Sequence, residues 1–158
     1  MPVPELQILG LGLDVIGAFV ISIPDIPFLR RYHRAGRLRN ALSKLDSQGG
    51  LSKHETGFSD LREEIHSIKP PEESDFDRPP DVLAVQTERL PVSPLEKIYG
   101  FYSVEESDEM VQERYSNIPY PQFRIRVQEL IGQGESKIRA GGFLTLAGGF
   151  IVQILSLV

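Results

Sequence analysis

No cysteine and no tryptophan occur among the 158 residues, and only three histidines, His33, His54 and His66. Without cysteine there is no disulfide, no thiolate nucleophile and no cysteine metal site, and the redox compartment leaves no mark on the chain. The three histidines exclude nearly as much, because no two of them stand four apart with a carboxylate in place, the arrangement by which one helical face grips a metal. There is no P-loop, no G-x-G-x-x-G after a strand and no G-x-S-x-G elbow. The carboxylate pairs Glu63/Glu64, Glu72/Glu73 and Glu105/Glu106 stand in polar stretches and read as solvent-facing charge. Neither an enzyme nor a cofactor or metal is expected. The lack of tryptophan removes the residue most favoured where a membrane helix meets water.

Charge is the second scarcity, and it is local. Leu6 to Ile23 and Ala140 to Val158 contain no Lys, Arg or Glu and a single Asp, Asp14. At 1.5 Å per helical residue each stretch is about long enough to cross a hydrocarbon layer roughly 30 Å thick, so both read as transmembrane helices. The first is expected to be a retained anchor and not a cleaved leader. Only Glu5 is charged before it, and it runs on into "SIPDIPFLRRYHR" without a small-residue cleavage site.

The net charge of -5 divides into blocks. Between Ile26 and Asp46 six basic residues, Arg30, Arg31, Arg34, Arg37, Arg39 and Lys44, face one acid, Asp46. From Ser47 to Gln122 seven basic residues are outnumbered by sixteen acidic ones, and from Phe123 to Arg139 the balance returns to four basic against two acidic. Basic residues therefore flank both apolar stretches on the side of the long loop. By the positive-inside rule, residues 24–139 are expected in the cytoplasm of a multi-pass cell-membrane protein, with both termini outside.

The expected fold class is mostly α: a transmembrane helical hairpin with a helical, partly disordered cytoplasmic region. Its parts are a first transmembrane helix (6–23), a basic juxtamembrane and amphipathic helical hairpin (24–68), an acidic Pro-rich linker (69–81), a small acidic segment (82–120), a helix leading into the membrane (121–139) and a second transmembrane helix (140–158). Pro24 and Pro27 stop the first helix. In "LRRYHRAGRLRNALSKLD" Leu38, Leu42 and Leu45 recur at helical spacing among arginines, as in a helix lying on an anionic leaflet, with Arg30, Arg31, Arg34, Arg37 and Arg39 on lipid headgroups. The plainer reading is a topology-setting basic flank. Nucleic acid is not expected, since the membrane is nearer and the bulk that follows is acidic.

After "GG", the pair Ser52-x-x-Glu55 reads as a capping box for an amphipathic helix carrying Phe58, Leu61, Ile65 and Ile68. "KPPEESDFDRPPD" reads as an extended linker, and "DVLAVQTERLPV" as a lone short strand. Ser103-x-x-Glu106 introduces an expected helix through "EESDEMVQERYS". From Pro121 onward Phe123, Ile125, Val127, Leu130 and Ile131 predict a long helix with no strong stop before the second span, and Gly132 and Gly134 as places for a kink.

Asp14 is the one charged group inside an apolar span. Every fourth residue of the first span gives Gly10, Asp14, Ala18 and Ser22, and of the second Gly141, Thr145, Gly149 and Gln153. Such stripes of small residues let membrane helices touch backbone to backbone. Matched by depth, Asp14 faces Gly149, with Thr145 and Gln153 a turn to either side as partners. An Asp at a helix centre costs roughly 2.5–3.5 kcal/mol on insertion scales, against about 0.3–0.6 gained per Leu, Ile, Phe or Val. Eleven such residues lie between Leu6 and Ile23, enough to carry it.

The segments "GLGLDVIGAFVI" and "GGFLTLAGGFIVQIL" resemble a loose group of uncharacterised prokaryotic proteins with two membrane helices, the first bearing LD-x-x-G-A and the second G-F-x-x-Q. The resemblance covers the two apolar segments and implies no activity. The reading that follows is an integral membrane scaffold or accessory subunit docking a partner protein at the cytoplasmic leaflet. The alternative is one subunit of a homo-oligomeric small pore or transporter with Asp14 in the pathway, needing several copies because two helices enclose no channel.

Overall fold

The computed structural model of the chain describes residues 4–68, 78–89, 94–103 and 110–157. They form four α-helices and four strands: α1 (Pro4–Ser22), α2 (Arg34–Gln48), β1 (Gly50–Ser52), α3 (Phe58–Ile68), β2 (Val82–Arg89), β3 (Pro94–Ser103), β4 (Met110–Pro119) and α4 (Tyr120–Leu155). Two short 3-10 helices, Ile23–Asp25 and Pro27–Tyr32, follow α1. The described chain is mostly helical, and α1 and α4 are long and apolar enough to cross a membrane by length and composition. It divides into two compact units, residues 1–30 with 132–158, and residues 31–131.

The second unit is a sheet with helices, where sequence periodicity alone predicts helices and a lone strand. All four strands are antiparallel in the order β1-β2-β3-β4. The helix expected over Ser103–Ser116 is overturned, because Met110–Pro119 pairs with β3 as a strand. The acidic start of that expected helix, 104–109, lies outside the described residues, as does most of the linker expected over 69–81.

Alternation explains the strands once they are paired. In β3, Ile98, Gly100 and Tyr102 are buried on one side, while Glu96 ends that row in solvent. Val85 pairs with Ile98 and Leu83 with Gly100, which aligns an apolar row across β2 and β3. Register shifts between Lys97 and Tyr99 mark a bulge in the β3–β4 ladder, and a bulge of this kind re-aims side chains on the bulged strand. Tyr115 of β4 is buried there. A Cβ on Gly100 would lie 3.2 Å from the Tyr102 ring and 3.3 Å from the Tyr115 ring, so the missing side chain is what lets both aromatics lie over the sheet.

α2 and α3 pack on this row. Leu38, Ala41, Leu42 and Leu45 of α2 join Phe58, Leu61 and Ile65 of α3, Leu51, Leu83 and Ile98 of the sheet, and Phe123, Val127 and Ile131 of α4 in one buried cluster. The apolar face of α2 therefore lies in a protein core, which corrects the expectation of a helix laid apolar-side-down on lipid. α2 ends at Gly49, whose φ of 71° and N–H bond of 3.0 Å to the Leu45 carbonyl make the left-handed C-terminal cap. Gly57 (φ 91°) brings the start of α3 against α2, where a Cβ would collide with the Arg37 carbonyl.

The Ser52/Glu55 pair forms, but in a turn that precedes the helix and does not cap it. The Ser52 N–H donates to Glu55 Oε2 at 2.9 Å, Lys44 pairs with the same carboxylate, and α3 begins only at Phe58. Lys44 and the Ser52 amide hold the Glu55 carboxyl below its ordinary range.

Asp81 staples β1 to the far end of β3. Its Oδ2 accepts from the Ser103 N–H at 2.8 Å and hydroxyl at 2.7 Å, and its Oδ1 pairs with Lys53. Lys53 first, then the Ser103 amide and hydroxyl, hold this carboxyl well below the usual carboxylate range. A depressed folded-state pKa contributes stability that is fully present above the unfolded value near 4 and is lost as pH falls. Asp81→Asn is therefore expected to cost about 1–3 kcal/mol at neutral pH, with the gap to wild type narrowing below about pH 4. Urea unfolding followed by tyrosine fluorescence measures it, and a gap that stays constant down to pH 3 would show that the charge is not what stabilises the turn. All five tyrosines lie between Tyr32 and Tyr120, so this signal reports the second unit alone.

Candidate functional site

In the first unit α1 and the second half of α4 run antiparallel and touch through glycines and one polar pair. The side-chain amide of Gln153 donates to Asp14 Oδ2 at 2.6 Å, and a Cβ built on Gly149 would run into the Asp14 carboxylate and lie 2.8 Å from the Gly10 carbonyl. A Cβ on Gly10 would in turn lie 2.9 Å from the Gly149 carbonyl. Of the residues picked from sequence, the structure thus brings together Gly10, Asp14, Gly149 and Gln153.

The other four lie elsewhere. Ala18 and Ser22 are exposed, and the Ser22 hydroxyl donates to the Ala18 carbonyl of its own helix at 2.9 Å. A Cβ on Gly141 would meet nothing within 4 Å, and Thr145 donates to the Gly141 carbonyl at 3.0 Å and not to Asp14. In their place stand Gly17 and Ile21 opposite Gly142 and Leu146. A Cβ on Gly17 would lie 2.7 Å from the Leu146 nitrogen and 2.8 Å from the Gly142 carbonyl.

The reason is geometric. At 3.6 residues per turn, a row stepping by four drifts about 40° per step, so by the third step it has left the partner's side. Rows alternating four and three, Gly10-Asp14-Gly17-Ile21 and Gly142-Leu146-Gly149-Gln153, stay on one face. The signal was present as glycines seven apart, Gly10/Gly17 and Gly142/Gly149. A competing pair, Gly141/Gly148, faces open space.

Asp14 Oδ1 is buried without a hydrogen-bond partner among the described residues. At the end of the helix pair nearest the long loop, Arg139 and Asp25 form an ion pair at 2.9 Å, and the Arg30 guanidinium donates to the Pro24 carbonyl at 3.3 Å.

The five arginines of the basic flank separate by partner. Arg37 forks onto both oxygens of Asp60 at 2.8 and 2.9 Å, and that hydrogen bond raises its pKa further. Arg34 reaches Glu63 at 3.0 Å and Glu64 at 2.6 Å. These two hold α2 on α3. Arg39 is engaged as well. Arg31 instead lies over the Tyr32 ring, 4.8 Å from its centroid, and donates to its hydroxyl at 2.7 Å.

Among the described residues of the second unit two clefts bear on a site. The larger, about 400 Å³, is bordered by Asp46, Thr87, Glu96, Tyr120 and Arg124. Tyr120 donates to Asp46 Oδ1 at 2.7 Å and Arg124 pairs with Oδ2 at 3.2 Å. Burial first, then the bond to Asp46, push the Tyr120 hydroxyl well above its ordinary range, so it stays a donor. The cleft therefore holds a hydrogen-bonded donor–acceptor couple, Tyr120 on Asp46. The smaller, about 320 Å³, lies between Ile68, Ile118, Phe123 and Arg126.

Between α3 and β4, His66 Nε2 meets the Tyr115 hydroxyl at 2.5 Å. Burial pushes that tyrosine up to about 12 and His66 down. Among the described residues no three His, Asp or Glu side chains gather as a metal cage.

Comparison of the chain with protein-family models, curated proteins and solved structures finds no match.

Proposed function

We propose that the protein is an integral membrane scaffold or accessory subunit, whose helix pair forms a transmembrane hairpin and whose α+β module docks a partner protein at the cytoplasmic leaflet. One observation carries the reading. α1 and the last part of α4 bury only their small-residue seam, while Leu9, Leu11, Val15, Ile16 and Phe19 on one helix and Phe143, Leu144, Phe150, Ile151 and Ile154 on the other are exposed. Each such side chain gains about 0.3–0.6 kcal/mol by insertion into hydrocarbon, so ten give about 3–6 kcal/mol, and in water they would form a patch that drives association. The basic residues beside both spans support a cytoplasmic module.

Because the chain has no cysteine, a single one can be placed at will. A cysteine replacing Pro2 is expected to react with an impermeant thiol reagent on intact cells, and one replacing Ser74 to react only after lysis. Labelling of Ser74→Cys on intact cells would invert the topology.

The pore reading is favoured by the partnerless buried oxygen of Asp14. It predicts a homo-oligomer in mild detergent and a proton or cation flux in vesicles, where the scaffold reading predicts tight stoichiometric co-purification with a larger partner.

A further inference from the structure

We propose that the 3-10 helix Pro27–Tyr32 is an interfacial anchor that seats Phe28 and Tyr32 in the headgroup layer and places the Arg31 guanidinium on an anionic lipid phosphate. The proposal rests on the membrane reading above and deepens it. Phe28 is 66% exposed and Tyr32 67% exposed, among the most exposed aromatic side chains described. They flank Arg30 and Arg31 immediately beyond the first apolar helix. The Asp25–Arg139 ion pair marks where charge begins at that end of the helix pair, and Phe28 follows Asp25 by three residues, at most about 10 Å of chain. Aromatic rings with a polar edge favour that depth, and a chain with no tryptophan must use phenylalanine and tyrosine for it.

The partner is specified by what the arginines already hold. Arg34 and Arg37 already meet Glu63, Glu64 and Asp60, so of the arginines expected on lipid these two have less unpaired charge to offer a phosphate. Arg31 is exposed and, among the described residues, paired with no carboxylate. It spends one donor on the Tyr32 hydroxyl and stacks on that ring, which orders the guanidinium and leaves further N–H groups in the fork geometry that suits a phosphodiester. Pro24 and Pro27 are what make this possible. They end α1, so that Phe28 and Tyr32 project from a separate short element and not from a continued membrane helix.

The test uses the full chain in nanodiscs of phosphatidylcholine, with or without phosphatidylglycerol. Phe28→Trp is a single-tryptophan reporter of the anchor, and Val15→Trp is a reporter of α1, since Val15 is exposed in mid-helix. Lipids brominated near the headgroup end of the acyl chain are expected to quench Phe28→Trp most, and lipids brominated near the methyl end to quench Val15→Trp most. Short-chain phosphatidylglycerol titrated into the protein in neutral detergent is expected to bind about fivefold more weakly to Arg31→Gln than to wild type, the equivalent of one juxtamembrane charge, and unchanged to Arg34→Gln. If Phe28→Trp is unquenched while Val15→Trp is quenched, the anchor is wrong and the membrane reading stands. If neither is quenched, the membrane reading falls. Equal binding by wild type and Arg31→Gln, or protection of Phe28→Trp that disappears on dilution to one copy per disc, would overturn the lipid headgroup as the partner.

Discussion

Phe123→Ala is expected to lower the stability of the α+β module by about 3–5 kcal/mol, the cost of removing a fully buried phenylalanine and leaving part of its volume empty. Phe123 is fully buried, three residues inside α4. Its ring lies 6.5 Å from that of Tyr120, and it belongs to the same buried cluster as Leu42, Leu61 and Ile98. It therefore joins α4 to both other helices and to the sheet. Domains of this size are stable by about 5–15 kcal/mol, so the variant is expected to sit near the edge of unfolding at ambient temperature. Urea unfolding monitored through tyrosine isolates the effect. Phe143→Ala, at a ring 63% exposed in the other unit, is the control and should leave the midpoint unmoved. A loss below about 1 kcal/mol for Phe123→Ala would mean that the first turns of α4 do not help to close the core.

That prediction could be framed from sequence, because 123, 127 and 131 recur at helical spacing. The sheet beside it could not. β4 reads "MVQERYSNIP", with few residues that prefer strands, and its order comes from β3 across a bulged ladder, a pairing no local pattern encodes. In β3, "LEKIYGFY", the buried positions Ile98, Gly100 and Tyr102 alternate with less buried ones, and β3 follows β2 by only four residues; it is the partner that the lone strand expected over "DVLAVQTERLPV" lacked. The α2 arginines show a second way in which local reading falls short. A basic, leucine-spaced helix looks the same whether its acids are lipid phosphates or the carboxylates of a later helix. Asp60, Glu63 and Glu64, more than twenty residues on, are the acids that Arg37 and Arg34 meet. The Asp14–Gln153 pair was legible because two apolar helices leave few polar groups to match. The face on which it sits was less so, since glycine is plentiful on α4 and two adjacent seven-residue pairs compete.

That competition supplies the sharpest test of the helix pair. Gly149→Leu is expected to be among the most damaging single changes in either apolar helix, while Gly148→Leu, one residue away, should be tolerated. At Gly149 any Cβ meets the Asp14 carboxylate and approaches the Gly10 carbonyl to 2.8 Å, so the backbones must separate, and with them the Asp14–Gln153 bond. At Gly148 a Cβ meets nothing within 4 Å and adds apolar surface to an exposed face. Asp14→Asn should be milder, because the amide oxygen still accepts from Gln153, and interhelical hydrogen bonds in membranes average only about 0.6 kcal/mol. Asp14→Leu loses that bond and strands the Gln153 amide. Thermal melts by helical circular dichroism in mild detergent should therefore rank wild type and Gly148→Leu together, then Asp14→Asn, Asp14→Leu and Gly149→Leu. Were Gly148→Leu the worse of the two glycine variants, the seam would run along the other heptad and Asp14 would point away from it. And if every variant melts like wild type while Asp14→Asn alone abolishes a proton or cation flux, the carboxylate is there to ionise, and the pore displaces the scaffold.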